Sequence, residues 1–236
     1  MGSRDTKMKR FLCAMFLVMP VNALAAERRF SVTDFDRIRL IGPFLVTLET
    51  GKSPTARAIG SSESLEQISL EIQGRLLTIK PNRSAWGGWP GDKPVAAQVS
   101  LSGPMIRGVS LEGAGVLKIT RIKGTHVTLS LQGSGVLEAP LIETDRLDIS
   151  SSGAGIMTVG GSAKMLMLLT RGSGGIDATA LKVSDAQITW ESAGNLSVTV
   201  ARAAKVTSIG SGIVTIIGNP ACTVSTIGAG EVSCGK

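Results

Sequence analysis

The chain has 236 residues, of which 25 are basic and 18 acidic, giving a formal net charge of +7. Hydrophobic residues make up 43% of it, yet it contains 29 Gly, only 5 Phe and 3 Trp, and no Tyr. The core must therefore consist of aliphatic side chains, which suits a stack of narrow layers better than one broad core. The basic residues are scattered along the chain, which argues against a nucleic-acid-binding surface.

The N-terminus has the pattern of an export signal. Met8-Lys9-Arg10 is basic, residues 11–20 are almost all apolar, and Ala23-Leu24-Ala25 has the small residues that signal peptidase requires. This pattern predicts a signal peptide over residues 1–25, since the apolar run is shorter than the roughly 20 residues of a spanning helix. Residues 1–25 contain four basic residues and one acidic residue, so the exported chain carries a net charge of +4. No later segment predicts a transmembrane helix.

The N-terminal third shows strand patterns without a clear repeat. Apolar residues alternate with polar ones in Ile38–Leu48, in Ile68–Ile79 and in Val95–Leu101. We expect residues 27–108 to form divergent N-terminal coils that precede the regular repeat of the later chain, with an irregular capping end. A loop rich in Gly and Pro spans residues 84–94.

Two of the three tryptophans lie in that loop. Trp86 and Trp89 could stack on sugar rings or anchor a partner, and they are the binding residues that the sequence favours. The alternative is that they fold back and cap one end of the core. Trp190 lies at an inward position of a later strand and is predicted to fill core volume.

The rest of the chain repeats a Gly-small-Gly tripeptide seven times, with centres 18–20 residues apart. The copies are Gly113-Ala114-Gly115, Gly133-Ser134-Gly135, Gly153-Ala154-Gly155, Gly172-Ser173-Gly174, Ser192-Ala193-Gly194, Gly210-Ser211-Gly212 and Gly228-Ala229-Gly230. Three and five residues after each centre the side chain is apolar or Cys, and the residue between is polar. Such alternation is typical of a strand with one buried face.

The repeat predicts an all-β fold, a single-stranded right-handed parallel β-helix (solenoid) with coils of 18–20 residues. Such a coil cannot bury its own apolar face, so coils must stack at about 4.8 Å. The glycines allow positive φ at a corner or close approach of neighbouring coils. The predicted structural turn glycines are Gly115, Gly135, Gly155, Gly174, Gly194, Gly212 and Gly230. Residues 26–236 are thus expected to form one domain, with seven regular coils over 109–236.

Two cysteines remain after signal cleavage. Cys222 and Cys234 predict a disulfide, because an even number of cysteines in an exported protein favours pairing. Two buried free thiols are the alternative.

Few residues predict chemistry, and the sequence indicates no cofactor or metal. His126 is the sole histidine, and no Cys or carboxylate lies near it in the sequence, which makes it a poor metal ligand or general base. Glu138 and Asp177 should lie two coils apart on one outward column, roughly 9–10 Å from each other. Inverting glycoside hydrolysis tolerates that separation, but a solvated strand face explains the two residues equally. Lys118 is expected to pair with Glu138.

The sequence also resembles a known family. Phe30–Leu48, Ile72–Ile79 and the Gly-Ala-Gly and Gly-Ser-Gly repeats are similar to the head GIN domain of putative autotransporter adhesins. The resemblance covers nearly all of the exported chain and implies a right-handed β-helix in the bacterial envelope. No translocator barrel precedes the end of the sequence at Lys236, so we expect the periplasm rather than the cell surface.

These observations predict a non-catalytic envelope protein, an adhesin-like binding or structural β-helix whose partner is a glycan or another envelope protein. One alternative is a carbohydrate-active enzyme that acts on a polysaccharide at the outward face around Glu138 and Asp177. Another is a self-assembling scaffold formed by end-to-end stacking of coils.

Overall fold

The computed structural model describes residues 26–82 and 97–235. The predicted signal peptide lies outside these ranges, as do Trp86 and Trp89, so both remain predictions.

The described residues form strands that are joined in one sheet, together with one short helix. In chain order the strands are β1 (Ala26–Phe30), β2 (Arg37–Ile41), β3 (Leu45–Thr50), β4 (Thr55–Gly60), β5 (Ile68–Gln73), β6 (Leu76–Pro81), β7 (Gln98–Gly103), β8 (Gly108–Gly113), β9 (Val116–Ile119), β10 (Ile122–Gly133), β11 (Val136–Gly153), β12 (Ile156–Gly172), β13 (Gly175–Ser192), β14 (Asn195–Ile209), β15 (Ile213–Ile217), β16 (Ala221–Ile227) and β17 (Glu231–Cys234). The helix α1 (Ser62–Glu66) lies between β4 and β5.

Successive coils of the regular part stack in parallel, as predicted. Strand β10 pairs with β11, β11 with β12, β12 with β13, and β13 with β14, all in parallel. Strands β11 and β13 reach 18 residues because each continues through the corners of its coil. Leu129 lies beside Ile149, which lies beside Leu168, so one aliphatic column becomes a continuous ladder. The parallel β-helix is confirmed.

The glycines of each corner do two different things. Gly133, a first glycine, has a φ of 112°, a conformation that residues with a Cβ rarely adopt. Gly135, a second glycine, has an ordinary φ but leaves no space, since an added Cβ would lie 2.6 Å from the carbonyl oxygen of Gly115 in the preceding coil. The tripeptide therefore combines a tight turn with close stacking of coils.

Ser192 replaces the first glycine in one coil without a positive φ. Its hydroxyl accepts a hydrogen bond from the N–H of Gly194 at 3.0 Å and donates one to the carbonyl of Gly174 at 3.3 Å. In this coil the hydrogen bonds of the serine side chain hold the turn, whereas in the other coils a glycine with positive φ forms it.

The core is a single column of aliphatic layers that runs from Phe35 to Ile216. Trp190 is fully buried, as predicted. Its neighbours in register are Thr170 and Ser208, and these smaller side chains leave room for the indole within the stack.

Stacking order differs from chain order at the N-terminal end. Strand β2 lies between β6 and β8, and β3 lies between β7 and β9, in every case in parallel. The coil made by β6 and β7 therefore lies at the N-terminal end of the stack, and the coil made by β2 and β3, which precedes it in the chain, lies between it and the coil made by β8 and β9. Strands β1, β4 and β5 pair antiparallel and, with α1, cover this end of the core, where Leu65 and Ile68 are buried.

The C-terminal end has no such cover among the described residues. Strand β16 pairs only with β14, and β17 only with β15. A disulfide joins Cys222 in β16 to Cys234 in β17, with their Cα atoms 6.7 Å apart. This confirms the predicted disulfide, which closes the last coil across its open end.

Candidate binding face

A shallow trough runs across the coils on the outward side of β2, β8, β10, β11, β12 and β13. It consists of two hollows, of about 570 and 370 Å³, that share Thr128. The residues that line it include the polar Arg37, Arg39, Arg107, Glu112, His126 and Asp148, the small Gly108, Ser110, Ser130 and Ser150, and the apolar Met167 and Leu169. Five steps between adjacent strands, from β2 to β13, give it a length of roughly 24 Å.

The floor of the trough consists of small hydroxyl side chains. Ser110, Ser130 and Ser150 lie in register on three successive coils, so their hydroxyls form a ladder. Gly108 lies beside Arg37 and leaves the floor open, because an added Cβ would lie 2.8 Å from Cγ of Arg37. This face therefore combines hydroxyl donors and acceptors with a hollow, which bulkier outward residues would fill.

One end of the trough is cationic. The carboxylate of Asp36 lies 2.9 Å from Nη2 of Arg107, 3.0 Å from Nε of Arg75 and 3.6 Å from Nε of Arg37. Asp36 is nearly buried, whereas each of the three arginine side chains is more than half exposed. One carboxylate cannot neutralise three guanidinium groups, so this cluster keeps a charge of +2 and several N–H donors that face solvent.

A bidentate ion pair forms the wall next to this cluster. Nε of Arg39 donates to Oε1 of Glu112 at 2.7 Å, and Nη2 of Arg39 donates to Oε2 at 2.9 Å. Hydrogen bonding to Glu112, with the attraction between the two charges, raises the pKa of Arg39 above its ordinary value. The pair joins β2 to β8 and fixes the orientation of the guanidinium plane.

The expectation that His126 lacks a nearby carboxylate is wrong. Nε2 of His126 lies 2.7 Å from Oδ2 of Asp148, and the other carboxylate oxygen accepts a hydrogen bond from Nε of Arg146 at 2.9 Å. The contact joins residues 22 positions apart, so it is not visible as a local motif; it follows only when neighbouring coils are set in register, which places Asp148 two residues beyond Arg146, the register partner of His126. No group of three or more His, Cys, Asp or Glu that could hold a metal ion occurs within residues 26–82 and 97–235.

Near its other end the trough crosses an apolar strip on β12, before Gln187 and Thr189 of β13. Met165, Met167 and Leu169 all point outward from β12, and Met165 and Leu169 are 38% and 41% exposed. Leu169 lies in register between Ser150 and Thr189, so the apolar strip interrupts a polar face. Exposed neighbouring apolar side chains of this kind are typical of contact surfaces.

Glu138 and Asp177 lie in the predicted register, with Thr158 between them. Both carboxylates contact structural partners. Oε2 of Glu138 lies 3.0 Å from Nζ of Lys118, which confirms the expected ion pair. Oδ1 of Asp177 accepts hydrogen bonds from the backbone N–H and the hydroxyl of Thr179 at 3.0 and 2.7 Å. The column therefore resembles an ordinary solvated strand face.

A larger hollow of about 670 Å³ lies on another side of the coils. Two ion pairs line it, since Lys164 lies 2.7 Å from Asp145 and Lys123 lies 3.4 Å from Glu143, and Lys182 adds a third cation. Glu143 also pairs with Arg121, and that hydrogen bond is the main cause of a lowered pKa for the Glu143 carboxyl. The cations that line this hollow are lysines, which bind an anion as point charges, whereas the arginine end of the trough offers forked N–H donors of fixed geometry.

The described part of the chain contains no helix that is long and apolar enough to cross a membrane.

Parallel coils with one continuous aliphatic core and a lateral trough define a β-helix of the solenoid class, whose flat faces suit extended ligands. The family described as putative auto-transporter adhesin, head GIN domain, matches residues 34–220. The chain belongs to this family. No functionally curated protein matches the sequence.

Solved structures of other bacterial proteins share the fold. A putative adhesin from Bacteroides fragilis superposes with a TM-score of 0.82 at 17% identity, covering 89% of this chain and 96% of its own. A putative lipid binding protein from Parabacteroides distasonis gives 0.72 at 20% identity, with coverages of 91% and 98%. A putative adhesin from Parabacteroides merdae gives 0.64 at 19% identity, with coverages of 90% and 96%. At these identities the likeness concerns the fold alone.

Proposed function

We propose that this protein is an exported, non-catalytic binding protein of the bacterial envelope, and that the trough holds an elongated ligand with an anionic group. The arginine end carries the argument. Arg37, Arg75 and Arg107 share the single carboxylate of Asp36 and keep exposed N–H donors, a combination suited to a carboxylate, sulfate or phosphate.

The remainder of the trough supports a hydroxyl-rich ligand. The hydroxyls of Ser110, Ser130 and Ser150 can donate to and accept from sugar hydroxyls along about 10 Å of the floor. Met167 and Leu169 then offer an apolar surface to a sugar face or to the start of an acyl chain. An acidic glycan and a phosphorylated glycolipid share this chemistry. The Parabacteroides distasonis neighbour is named as a lipid binder, which makes the lipid source worth testing.

Calorimetric titration distinguishes an acidic glycan from a phosphorylated glycolipid as the ligand. The exported protein is titrated with a carboxylated or sulfated oligosaccharide, with the matched neutral oligosaccharide, and with vesicles of anionic or zwitterionic lipid. We expect binding to one anionic probe and none to its neutral counterpart. Arg37→Gln with Arg107→Gln should weaken binding at least tenfold, since each charge-assisted hydrogen bond contributes about 1.5–3 kcal/mol.

The matched control is Arg202→Gln. Arg202 is an exposed arginine that pairs with Asp185 outside the trough, and its replacement should leave affinity unchanged. Equal binding of charged and neutral probes, or an equal loss in both variants, contradicts the proposal.

The enzyme hypothesis has less support, because Glu138 and Asp177 both hold structural partners. Glu138→Gln with Asp177→Asn tests it on envelope polysaccharides. Turnover that the double variant abolishes would overturn the non-catalytic assignment.

We also propose that the protein is exported, on the basis of the signal-peptide pattern in residues 1–25, and that the periplasm is its compartment. Protease treatment of intact producing cells should leave the protein whole until the outer envelope is permeabilised. Cleavage in intact cells would place it at the surface instead.

A further inference from the structure

The last coil ends in an open strand edge. Within residues 26–82 and 97–235, β16 has a strand partner on one side only, and so has β17. The other end of the helix is covered by β1, β4, β5 and α1. The two ends of the molecule are unlike: the outer strands β1 and β5 of the N-terminal end also have a partner on one side only, but they carry charged residues, whereas β16 carries none.

The free groups of β16 can be assigned from its pairing with β14. The carbonyl of Ile227 accepts a hydrogen bond from the N–H of Gly210 at 2.9 Å. Successive residues of a strand direct their backbone groups to opposite sides, so Ser225 and Thr223 also bond to β14. Cys222, Val224 and Thr226 consequently direct their N–H and C=O groups to the open edge.

This edge lacks the features that protect strand edges. Natural edges carry charges, particularly Lys, or inward-pointing polar residues. Between residues 206 and 235 the single charged residue is Glu231, which lies on β17. Val224, which belongs to a column that is buried in the coils above, is 43% exposed here, and Ile227 is 61% exposed.

We propose that the C-terminal coil is a homodimer interface in which β16 pairs antiparallel with β16 of a second copy. A two-fold axis brings the same strand to itself, which is the usual self-complementary arrangement. Val224 is the central residue of this strand of seven, so two copies of Val224 meet near the axis and the two aliphatic cores become continuous. No like charges face each other, because β16 carries none.

The charges at the N-terminal end disfavour a longer assembly. Strands β1 and β5 each have one free side, but β1 carries Glu27, Arg28 and Arg29 and β5 carries Glu71, and charges of this kind protect an edge from pairing. A two-fold interface between C-terminal coils therefore closes on itself and does not build the end-to-end scaffold that the repeat pattern allows.

The size of the interface indicates a moderate affinity. A coil of about 18 residues at about 3.3 Å per residue has a perimeter of about 60 Å, which encloses at most about 290 Å² per copy. The total of about 600 Å² is well below that of standard stable complexes, although backbone hydrogen bonds add to it. We therefore expect a dimer with a dissociation constant in the micromolar range.

Analytical ultracentrifugation of the purified exported protein between about 1 and 500 μM tests the proposal. The wild-type protein should shift from monomer to dimer with no larger species. Val224→Lys should stay monomeric, because the lysine reaches solvent in the monomer but would face its own copy in the dimer.

Ile156→Lys is the matched control, since Ile156 is 54% exposed on a lateral face of a central coil. It should dimerise like the wild type, and circular dichroism should show that both variants are folded. A wild-type monomer at every concentration, species larger than a dimer, or the same behaviour in both variants overturns the proposal.

Discussion

At the scale of single residues, the close spacing of the coils depends on the corner glycines, which have only a hydrogen atom where other residues have a side chain. Gly135 lies against the backbone of the preceding coil, and its added Cβ would also lie 2.9 Å from Cδ2 of Leu111. Neither the carbonyl of Gly115 nor the buried leucine can move without opening the strand ladder. The corner glycines are thus required by packing, and their role does not depend on any ligand.

Gly135→Ala should lower the free energy of unfolding by about 1–3 kcal/mol, the usual cost of overpacking a buried position. Urea denaturation followed by circular dichroism measures it. Ser134→Ala is the control at the exposed centre of the same corner, and it should change stability by less than about 0.5 kcal/mol. Equal effects of the two substitutions would contradict the close-stacking account.

The ion pair of Glu143 makes a pH-dependent prediction. The hydrogen bond from Arg121 is the largest contribution to the lowered pKa of Glu143. A carboxyl whose pKa is lower in the folded state stabilises the fold fully at neutral pH, and loses that contribution as the pH falls through the folded-state pKa. Arg121→Gln should therefore raise the pKa of Glu143, measured by NMR titration of the carboxyl carbon. An unchanged titration would show that the pair does not persist in solution.

At the scale of strands and corners, much of the fold could be predicted from the sequence. The columns of Leu, Ile and Val are visible because the repeat keeps a nearly constant length, so register follows from counting. The trough could not be predicted in the same way. The arginines that surround Asp36 at its cationic end come from β2, from the turn after β5 and from the segment before β8, and only the stacking of β2 between β6 and β8 brings them together.

Gly108 makes the hollow at the arginine end testable. Gly108→Val fills the floor and displaces the side chain of Arg37, so we expect ligand affinity to fall at least tenfold while the fold is kept. Gly175→Val is the control, because Gly175 is also an outward glycine and an added Cβ there would lie 3.5 Å from its nearest neighbour. Calorimetry with the anionic probe measures both variants. Normal affinity in Gly108→Val would exclude this hollow as part of the site.

The disulfide should act on the last coil more than on the whole molecule. Its loop of 12 residues stabilises by about 3 kcal/mol in the chain-entropy description. Coils contact only their neighbours, so this contribution is local. Cys222→Ser with Cys234→Ser should speed hydrogen exchange in β16 and β17 and leave β11 and β12 unchanged, as measured by mass spectrometry. Faster exchange throughout would indicate that the coils unfold as one unit.

At the scale of the whole molecule, the N-terminal third differs most from a simple repeat. Its strands have the predicted alternation, but the coil of β2 and β3 is inserted beneath the coil of β6 and β7. The alternation of apolar residues in the sequence indicates which strand faces are buried, but it does not indicate which coil lies next to which. The interleaved order has two consequences: it covers one end of the core, and it assembles the arginine end of the trough from distant segments.

The central claim is that this trough holds the ligand, and methionine methyl NMR tests it most directly. Residues 26–236 contain four methionines: Met105, Met157, Met165 and Met167. When the anionic probe is titrated in, the methyl signal of Met167, which lines the trough, should shift in proportion to binding, while that of the fully buried Met157 should stay in place. Saturating ligand that leaves Met167 unchanged would contradict the account and direct attention to another face.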